Sequence, residues 1–245
     1  MRITILGSGG GTPSGRRETA SVLIREDDRA LLLDAGTGAR RLVTDARHLA
    51  GVEHLDVVLT HFHLDHVCGL SYLPWLPVTA VIWAPGAWLY GTESATILAP
   101  LRCQPISATD VSEEYPVREL RSGSQVIGGF EIRASAQLRH WSPTAALRVE
   151  DRLALVTDTA HEPASARLAE GVDVLLHEAW SSSAAPIYSD YDATAADAAR
   201  LARTAGVARL TLIHLDPTYA DHTLLVQDAK PIFDRVQLGE DEMEL

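Results

Sequence analysis

Six consecutive residues, His61-Phe62-His63-Leu64-Asp65-His66, carry three imidazoles and a carboxylate. Neutral imidazole nitrogens and carboxylate oxygens are the donors that hold zinc and similar borderline divalent ions. Packing gives no reason for four ionisable side chains in so short a run. Metal binding is the chemistry such a string supports. Further donors of the same types stand singly along the chain: His140, Asp158, the pair His177-Glu178, and His214. Each follows a short apolar run. Residues 56–60 lead to His61, 130–138 to His140, 153–157 to Asp158, 172–176 to His177 and Glu178, and 209–213 to His214. Such runs, short and bounded by polar residues, read as buried strands. Strands that cross a core end at its edge, where groups on neighbouring strand ends converge. Five such coincidences place a polar metal site along one edge of a β-core.

The elements around these strands follow from pattern. Residues 2–6, 20–25 and 30–34 read as strands separated by glycine-rich turns, and residues 38–50 as helical. A second helix is expected over 164–170. A third, over 195–204, is rich in Ala, Leu and Arg, all strong helix formers. It opens on Thr194-Ala195-Ala196-Asp197, a capping box with Asp in place of Glu, and Gly206 is placed to end it. Strands alternating with helices indicate an α/β protein with more than one sheet. No linker or low-complexity run divides the sequence, so residues 1–245 read as one domain.

Composition narrows the function. The apolar N-terminus is too short for a signal peptide, and no run approaches the ~20 apolar residues of a membrane helix. Two cysteines, Cys68 and Cys103, make no disulfide framework, so a cytoplasmic compartment is the expectation. Cys68, two residues past His66, reads as a buried thiol. The formal net charge of −12 argues against extended nucleic acid held on a broad basic surface. A small anionic substrate is still allowed, because a bound cation dominates its local field. Segment 7–15 is glycine-rich but lacks the Gly-Lys-Ser/Thr of a phosphate loop and reads as a tight turn. The acidic residues 239–245 read as a solvated terminus. His48, His54, His161 and His222 read as surface residues, and Trp75, Trp83, Trp88 and Trp141 as core or rim aromatics. Trp141, beside His140, and segment 72–77 are expected to border the site.

The sequence resembles the metallo-β-lactamase superfamily of metal-dependent hydrolases, over roughly residues 2–220. The resemblance is carried by Leu6-Gly7-Ser8-Gly9-Gly10-Gly11-Thr12-Pro13, by Leu32-Leu33-Asp34-Ala35-Gly36, and by the signature His61-x-His63-x-Asp65-His66. His140, Asp158 and His214 follow in the family's order. The fold this implies is a four-layer αββα sandwich with the site at one edge of two sheets. Asp65, Asp158, His214, Val174-Leu175-Leu176-His177-Glu178-Ala179 and Ile213-His214-Leu215-Asp216-Pro217 are similar to the phosphodiesterase branch. That branch includes ribonuclease Z, which processes tRNA 3′ ends, and the phosphoribosyl cyclic phosphodiesterase. The resemblance implies two divalent ions, with zinc expected and manganese or iron as alternatives. His61, His63 and His140 would hold the first, Asp65, His66 and His214 the second, and Asp158 both. A water shared by the ions would attack phosphorus or a carbonyl carbon. Asp65, Asp192 and Glu178 are the candidate catalytic groups, and His177 and Asp34 candidates for orienting their neighbours.

Two departures refine this expectation. Only 18 positions separate His140 from Asp158, which leaves no room for the endonuclease's tRNA-gripping arm. The cyclic phosphodiesterase's extra zinc site uses N-terminal cysteines, and this chain has none there. Where the branch carries a catalytic His before its Thr-containing helix, this chain has Asp192. That residue either acts as an acid with a raised pKa or merely flanks a helix start. The leading reading is hydrolysis of a small cyclic or nucleotide-like phosphodiester. The alternatives are a lactone, thioester or sulfate-ester hydrolase, a tRNA 3′-processing enzyme, and a non-catalytic metal-binding module. The resemblance allows a homodimer, though no residue specifies one.

Overall fold

The computed structural model of the chain describes residues 1–107, 110–111, 113–185, 187, 190–219 and 221–245. Two mixed sheets carry the described strands. The first runs in sequence order: β1 (Arg2–Gly7), β2 (Ser21–Glu26), β3 (Arg29–Leu33), β4 (His54–Val58), β5 (Thr79–Ala84) and β6 (Val117–Glu119). Strands β1 to β3 pair antiparallel, and β3 to β6 parallel. The second comprises β7 (Gly123–Ile127), β8 (Phe130–Gln137), β9 (Thr144–Val149), β10 (Leu153–Val156), β11 (Val174–Glu178), β12 (Arg209–Ile213) and β13 (Val236–Leu238). Here β7 to β10 are antiparallel and β10 to β13 parallel.

The apolar runs explain the layering. Successive strand side chains point to opposite faces. In β3, Leu31 and Leu33 enter a core shared with Phe130, Ile132, Leu147, Leu176 and Ile213 of the second sheet. Leu32 points the other way, into a cluster with Leu42 of α1 (Arg40–Thr44), Val67 of α2 (Leu64–Val67) and Leu98 of α3 (Ser94–Arg102). The second sheet repeats the pattern. Leu175 and Leu210 pack outward against Leu168 of α4 (Pro163–Leu168), Leu201 of α5 (Ala195–Ala205) and Leu225 of α6 (Thr223–Ala229). Strands buried on both faces must be apolar throughout, which is why these runs do not alternate. The result is the αββα sandwich.

Helix α5 starts and stops where its residues dictate. The Thr194 hydroxyl accepts the Asp197 N–H, and the Asp197 carboxylate accepts the Thr194 N–H, so Asp serves in the box as Glu would. Gly206 ends it at φ 65°.

Other expectations need correction. Residues 38–50 are not one helix. At Asp45 the backbone turns extended, its carboxylate takes the Arg47 N–H, and only α1 and two flanking 3₁₀ turns remain. Strand β4 begins two residues earlier than the apolar run and ends at Val58, leaving Thr60 and His61 in the loop beyond it. Strand β11 runs on through His177 and Glu178, which pair with Leu212 and Ile213. Residues 239–245 are no solvated tail. They run antiparallel to β1, with the Ile5 N–H donating to Met243 and the Leu245 N–H to Ile3, both at 2.9 Å. Strand β1 is a sheet edge, and its free backbone groups need a partner.

Candidate metal centre

The donors meet at the strand ends of both sheets. Asp34 follows β3, and the loop after β4 presents His61 and His63. The single turn of α2 sets Asp65 and His66, while Asp158 follows β10 and His214 follows β12. Asp34, Asp158 and His214 all have left-handed backbone, at φ 56°, 53° and 49°. Such φ values are unfavourable for side-chain-bearing residues and persist only where surrounding contacts impose them. Here they occur at three of the strand ends that build one cluster.

Donor atoms fall into two groups that are each within 4.8 Å: His61, His63, His140 and Asp158, and then Asp65, His66 and His214. In the second group the spacing is tight. His66 Nε2 lies 3.2 Å from His214 Nε2, and Asp65 Oδ2 lies 3.3 Å from both nitrogens. Asp158 reaches every part of the cluster. Its Oδ2 is 3.2 Å from His66, and its Oδ1 is 3.4 Å from His214 and 3.6 Å from both His61 and His140. Donors ~2.0–2.1 Å from a tetrahedral zinc stand roughly 3.3–3.4 Å from one another. His61 Nε2 is buried with no hydrogen-bond partner. Converging lone pairs at this spacing repel unless a cation lies among them, so the donor set fits divalent ions.

Three of the imidazoles, those of His66, His61 and His140, are oriented from behind. His66 Nδ1–H donates to Asp34 at 2.9 Å, and His61 Nδ1–H to the Thr60 hydroxyl at 3.0 Å. Thr60 in turn donates its own N–H to Asp34 at 2.7 Å. His140 Nδ1–H donates to the Tyr191 carbonyl at 2.9 Å and lies 3.3 Å from Asp192. Such partners fix tautomer and ring angle and turn Nε2 toward the ions. The glycine segment supports the second group. The Gly11 N–H donates to Asp65 at 2.7 Å. A Cβ on Gly10 would meet the His214 ring at 2.5 to 2.7 Å, so only glycine lets that ring lie where it does.

The electrostatics suit cations. Burial would raise the Asp158 carboxyl, but His214, His66 and His61 hold it well below the carboxylate range. Asp65 is half-buried, which would raise its carboxyl too, yet His66 and His214 hold it low. His66 is opposed by burial but drawn well above the usual imidazole value by Asp158, Asp65 and Asp34. Burial, with His66 nearby, pushes His61 well down. Protons and divalent ions thus compete for the same carboxylate field.

The other expected residues are placed as follows. Glu178 is fully buried. Its oxygens accept the Ala193 N–H at 2.7 Å and the Thr159 N–H at 3.2 Å, and Oε2 lies 3.8 Å from His214 Nδ1. Burial, with Asp192 and Asp158 adding to it, pushes its carboxyl well up. Asp192 is 6% exposed and lies behind His140. His177 is a core residue that donates Nδ1–H to the Glu178 carbonyl, and burial pushes it down to about 4. Cys68 is half-buried and outside both donor groups. His54 is exposed as expected, but His48, His161 and His222 are half-buried. Their packing, such as His222 against the Asp216 carbonyl at 2.8 Å, had no local signal. Thr60, Gly10, Gly11 and the Tyr191 carbonyl were missed as supports. Of these only the glycines carried a signal, the run read as a tight turn.

A family model described as the Beta-lactamase superfamily domain matches residues 29–215. The chain belongs to that superfamily. Ribonuclease Z of Metallosphaera sedula is 27% identical over 98% of this chain and 97% of its own length. The probable metallo-hydrolase YhfI of Bacillus subtilis is 26% identical over 95% of this chain and 94% of its own. The YhfI crystal structure superposes with a TM-score of 0.82 at 21% identity, covering 100% of this chain and 98% of that one. A diphosphatase of the PhnP family superposes at 0.77 and 18% identity, covering 100% and 96%. The chain shares the fold of this hydrolase superfamily. That fold implies divalent metal, and the clustered His and Asp donors are able to bind it.

Proposed function

We propose that this β-lactamase-superfamily protein hydrolyses a small phosphodiester at a centre of two divalent ions, with zinc as the expected metal. The observation that supports it is the division of seven donors into two groups with Asp158 facing both. His61, His63 and His140 would hold one ion, and Asp65, His66 and His214 the other. Bound ions of this kind supply a water of lowered pKa and positive charge against an anionic group. With five neutral imidazoles and only two carboxylates, the loaded centre keeps net positive charge in a chain of net −12. That local field selects a small anion over a long one.

The residues around the donors orient the reaction. Asp34, Thr60, Asp192 and the Tyr191 carbonyl fix imidazole rings, and Gly11 fixes the Asp65 carboxylate. Asp192 sits in the orienting position behind His140, and Glu178 is buried behind His214, so neither is aimed at a leaving group. This favours substrates whose leaving group departs with little help from an acid. Processing of tRNA fits poorly. Between His140 and Asp158 the chain has only the hairpin of β9 and β10. The match to ribonuclease Z spans 289 positions, and 98% of 245 residues fills about 240 of them, so some 49 positions of that relative have no counterpart here.

The test is a metal measurement beside a substrate panel. Mass spectrometry should find close to two divalent ions per chain after loading. Aryl phosphodiester turnover should be abolished by a chelator and restored by Zn²⁺ or Mn²⁺. Activity confined to lactones, thioesters or sulfate esters would overturn the phosphodiester reading.

A further inference from the structure

His214 is held differently from the donors that are oriented by hydrogen bonds. Its Nδ1 is buried and has no hydrogen-bond partner among the described residues, and the nearest carboxylate oxygen of Glu178 stands 3.8 Å away. The terminal torsion of an imidazole has broad minima, so without such a bond the ring angle is set by packing. Two packing contacts are present. A Cβ on Gly10 would stand nearly equidistant from Nδ1, Cε1 and Nε2, which puts the Gly10 backbone over a face of the ring, not at its edge. The indole of Trp180 lies against the same ring, with centroids 5.6 Å apart and planes inclined by 36°. That separation is ordinary for ring–ring contact. The half-buried Trp180 also borders the support of Asp65, because a Cβ on Gly11 would meet its Cη2 at 3.4 Å. Its own Nε1–H is buried with no acceptor among the described residues, so the flat ring makes these contacts and the polar atom contributes none.

We propose that Trp180 is a positioning residue for His214. Its indole, with the Gly10 backbone, holds the imidazole at the angle that turns Nε2 toward His66 and Asp65. This is the part that hydrogen bonds play for His61, His66 and His140, and the proposal rests on the two-ion reading. The backbone of Trp180 is anchored apart from the donor loops. Its N–H donates to the Ala193 carbonyl, and the Ala195 N–H donates to the Ser181 carbonyl, both at 2.9 Å. Residues 180–181 therefore run beside the capped start of α5, and the indole projects from that fixed segment to the ring of His214. The site of Asp65, His66 and His214 thus depends on an aromatic ring at position 180, and the site of His61, His63 and His140 does not.

The experiment titrates Zn²⁺ into the full-length chain against a chromophoric chelator, with no substrate present. Trp180→Ala should weaken one of two sites roughly 10- to 100-fold, the range for losing a group that orients a ligand, and leave the other unchanged. Trp180→Phe keeps a flat ring and loses only an N–H that bonds nothing, so it should retain most of the affinity. Trp180→Leu is apolar but has no flat face, and should fall with Trp180→Ala. Loading with Co²⁺ gives a second readout. The visible absorption of one of the two bound ions should shift in the Ala and Leu variants and stay as in the wild type in Trp180→Phe, a pattern that general loosening of the fold would not produce. Two full-affinity sites in the Ala and Leu variants would overturn the assignment, as would equal weakening of both sites or equal losses in Trp180→Phe and Trp180→Ala. In each of these cases a wild type that binds two ions leaves the two-ion reading standing. Should the wild type bind fewer than two, that reading falls and the role of Trp180 falls with it.

Discussion

Gly10→Ala should perturb one donor group and spare the other. Gly10 has no left-handed backbone requirement, so alanine meets no conformational barrier there. The obstacle is spatial: the new Cβ lies 2.5 Å from Cε1 and 2.6 Å from Nε2 of His214. An ordinary contact is ~3.5 Å or more, so the ring must retreat by about 1 Å. Metal–ligand distances tolerate only ~0.2 Å, so a shift of that size removes His214 from the donor set. Losing a mere supporting partner weakens metal binding ~10–100-fold, and losing a ligand should do at least that, about 1.4–2.8 kcal/mol. His61, His63 and His140 are untouched. Competitive titration with a chromophoric zinc chelator should therefore show one tight site retained and one weakened, with turnover falling in step with the weak site. Gly15→Ala is the control, because a Cβ there meets nothing within 4 Å. Two full-affinity ions in Gly10→Ala would refute the assignment of His214, and equal weakening of both sites would refute their separate support.

Other perturbations follow from the same contacts. Asp34→Ala leaves His66 Nδ1 and the Thr60 N–H without their acceptor and should weaken metal binding ~10–100-fold, read by the same titration. Asp241→Ala strips the acceptor from the Ser8 N–H, the Ser8 hydroxyl and the Glu18 N–H, about 1–3 kcal/mol for each donor left buried and unpaired. Thermal unfolding should fall, and the site of Asp65 and His214 should weaken more than that of His61. His177 gives a pH signature. Folded, it is held at about 4, while the unfolded chain titrates near ~6.5. The unfolded state therefore binds the extra proton between those values, so its contribution is present above pH ~6.5 and lost as pH falls toward ~4, about 3 kcal/mol in all. In urea unfolding of metal-free protein, His177→Leu should flatten that decline, and parallel curves for the two proteins would exclude the assignment.

The clustering of the candidate donors was legible because its signals are local. A donor residue placed directly after an apolar run states both its chemistry and its location, as at His140, Asp158 and His214. The capping box of α5 was equally local, four residues long. What failed depended on distance. The charge of residues 239–245 is visible in sequence, but the pairing with β1 is not, since Asp241 meets Ser8 across 233 positions. His140 finds the Tyr191 carbonyl 51 positions away. Asp192 stood beside a helix start in sequence, and only the fold brings it behind His140. The short, weakly patterned strands β6 and β13 had no periodicity to reveal them.

These distant supports are unevenly distributed, and that has a consequence for the centre. His61 and His140 are oriented by Thr60, Asp192 and the Tyr191 carbonyl, groups on the loops after β4 and before α5. Asp65 and His214 rest instead on Gly11 and Gly10. The segment holding those glycines is tied at Ser8 to both Arg17 and Asp241, and Arg17 donates to the Gly239 carbonyl. One half of the donor set is thus braced by neighbouring loops, the other by the two ends of the chain meeting at the edge of β1. Asp158, bonded by the Thr157 hydroxyl, and the Asp34–Thr60 link, which reaches both His61 and His66, join the halves. Damage to the terminal brace should therefore unload the Asp65 side first, whereas loss of Asp34, which reaches both halves, should weaken both.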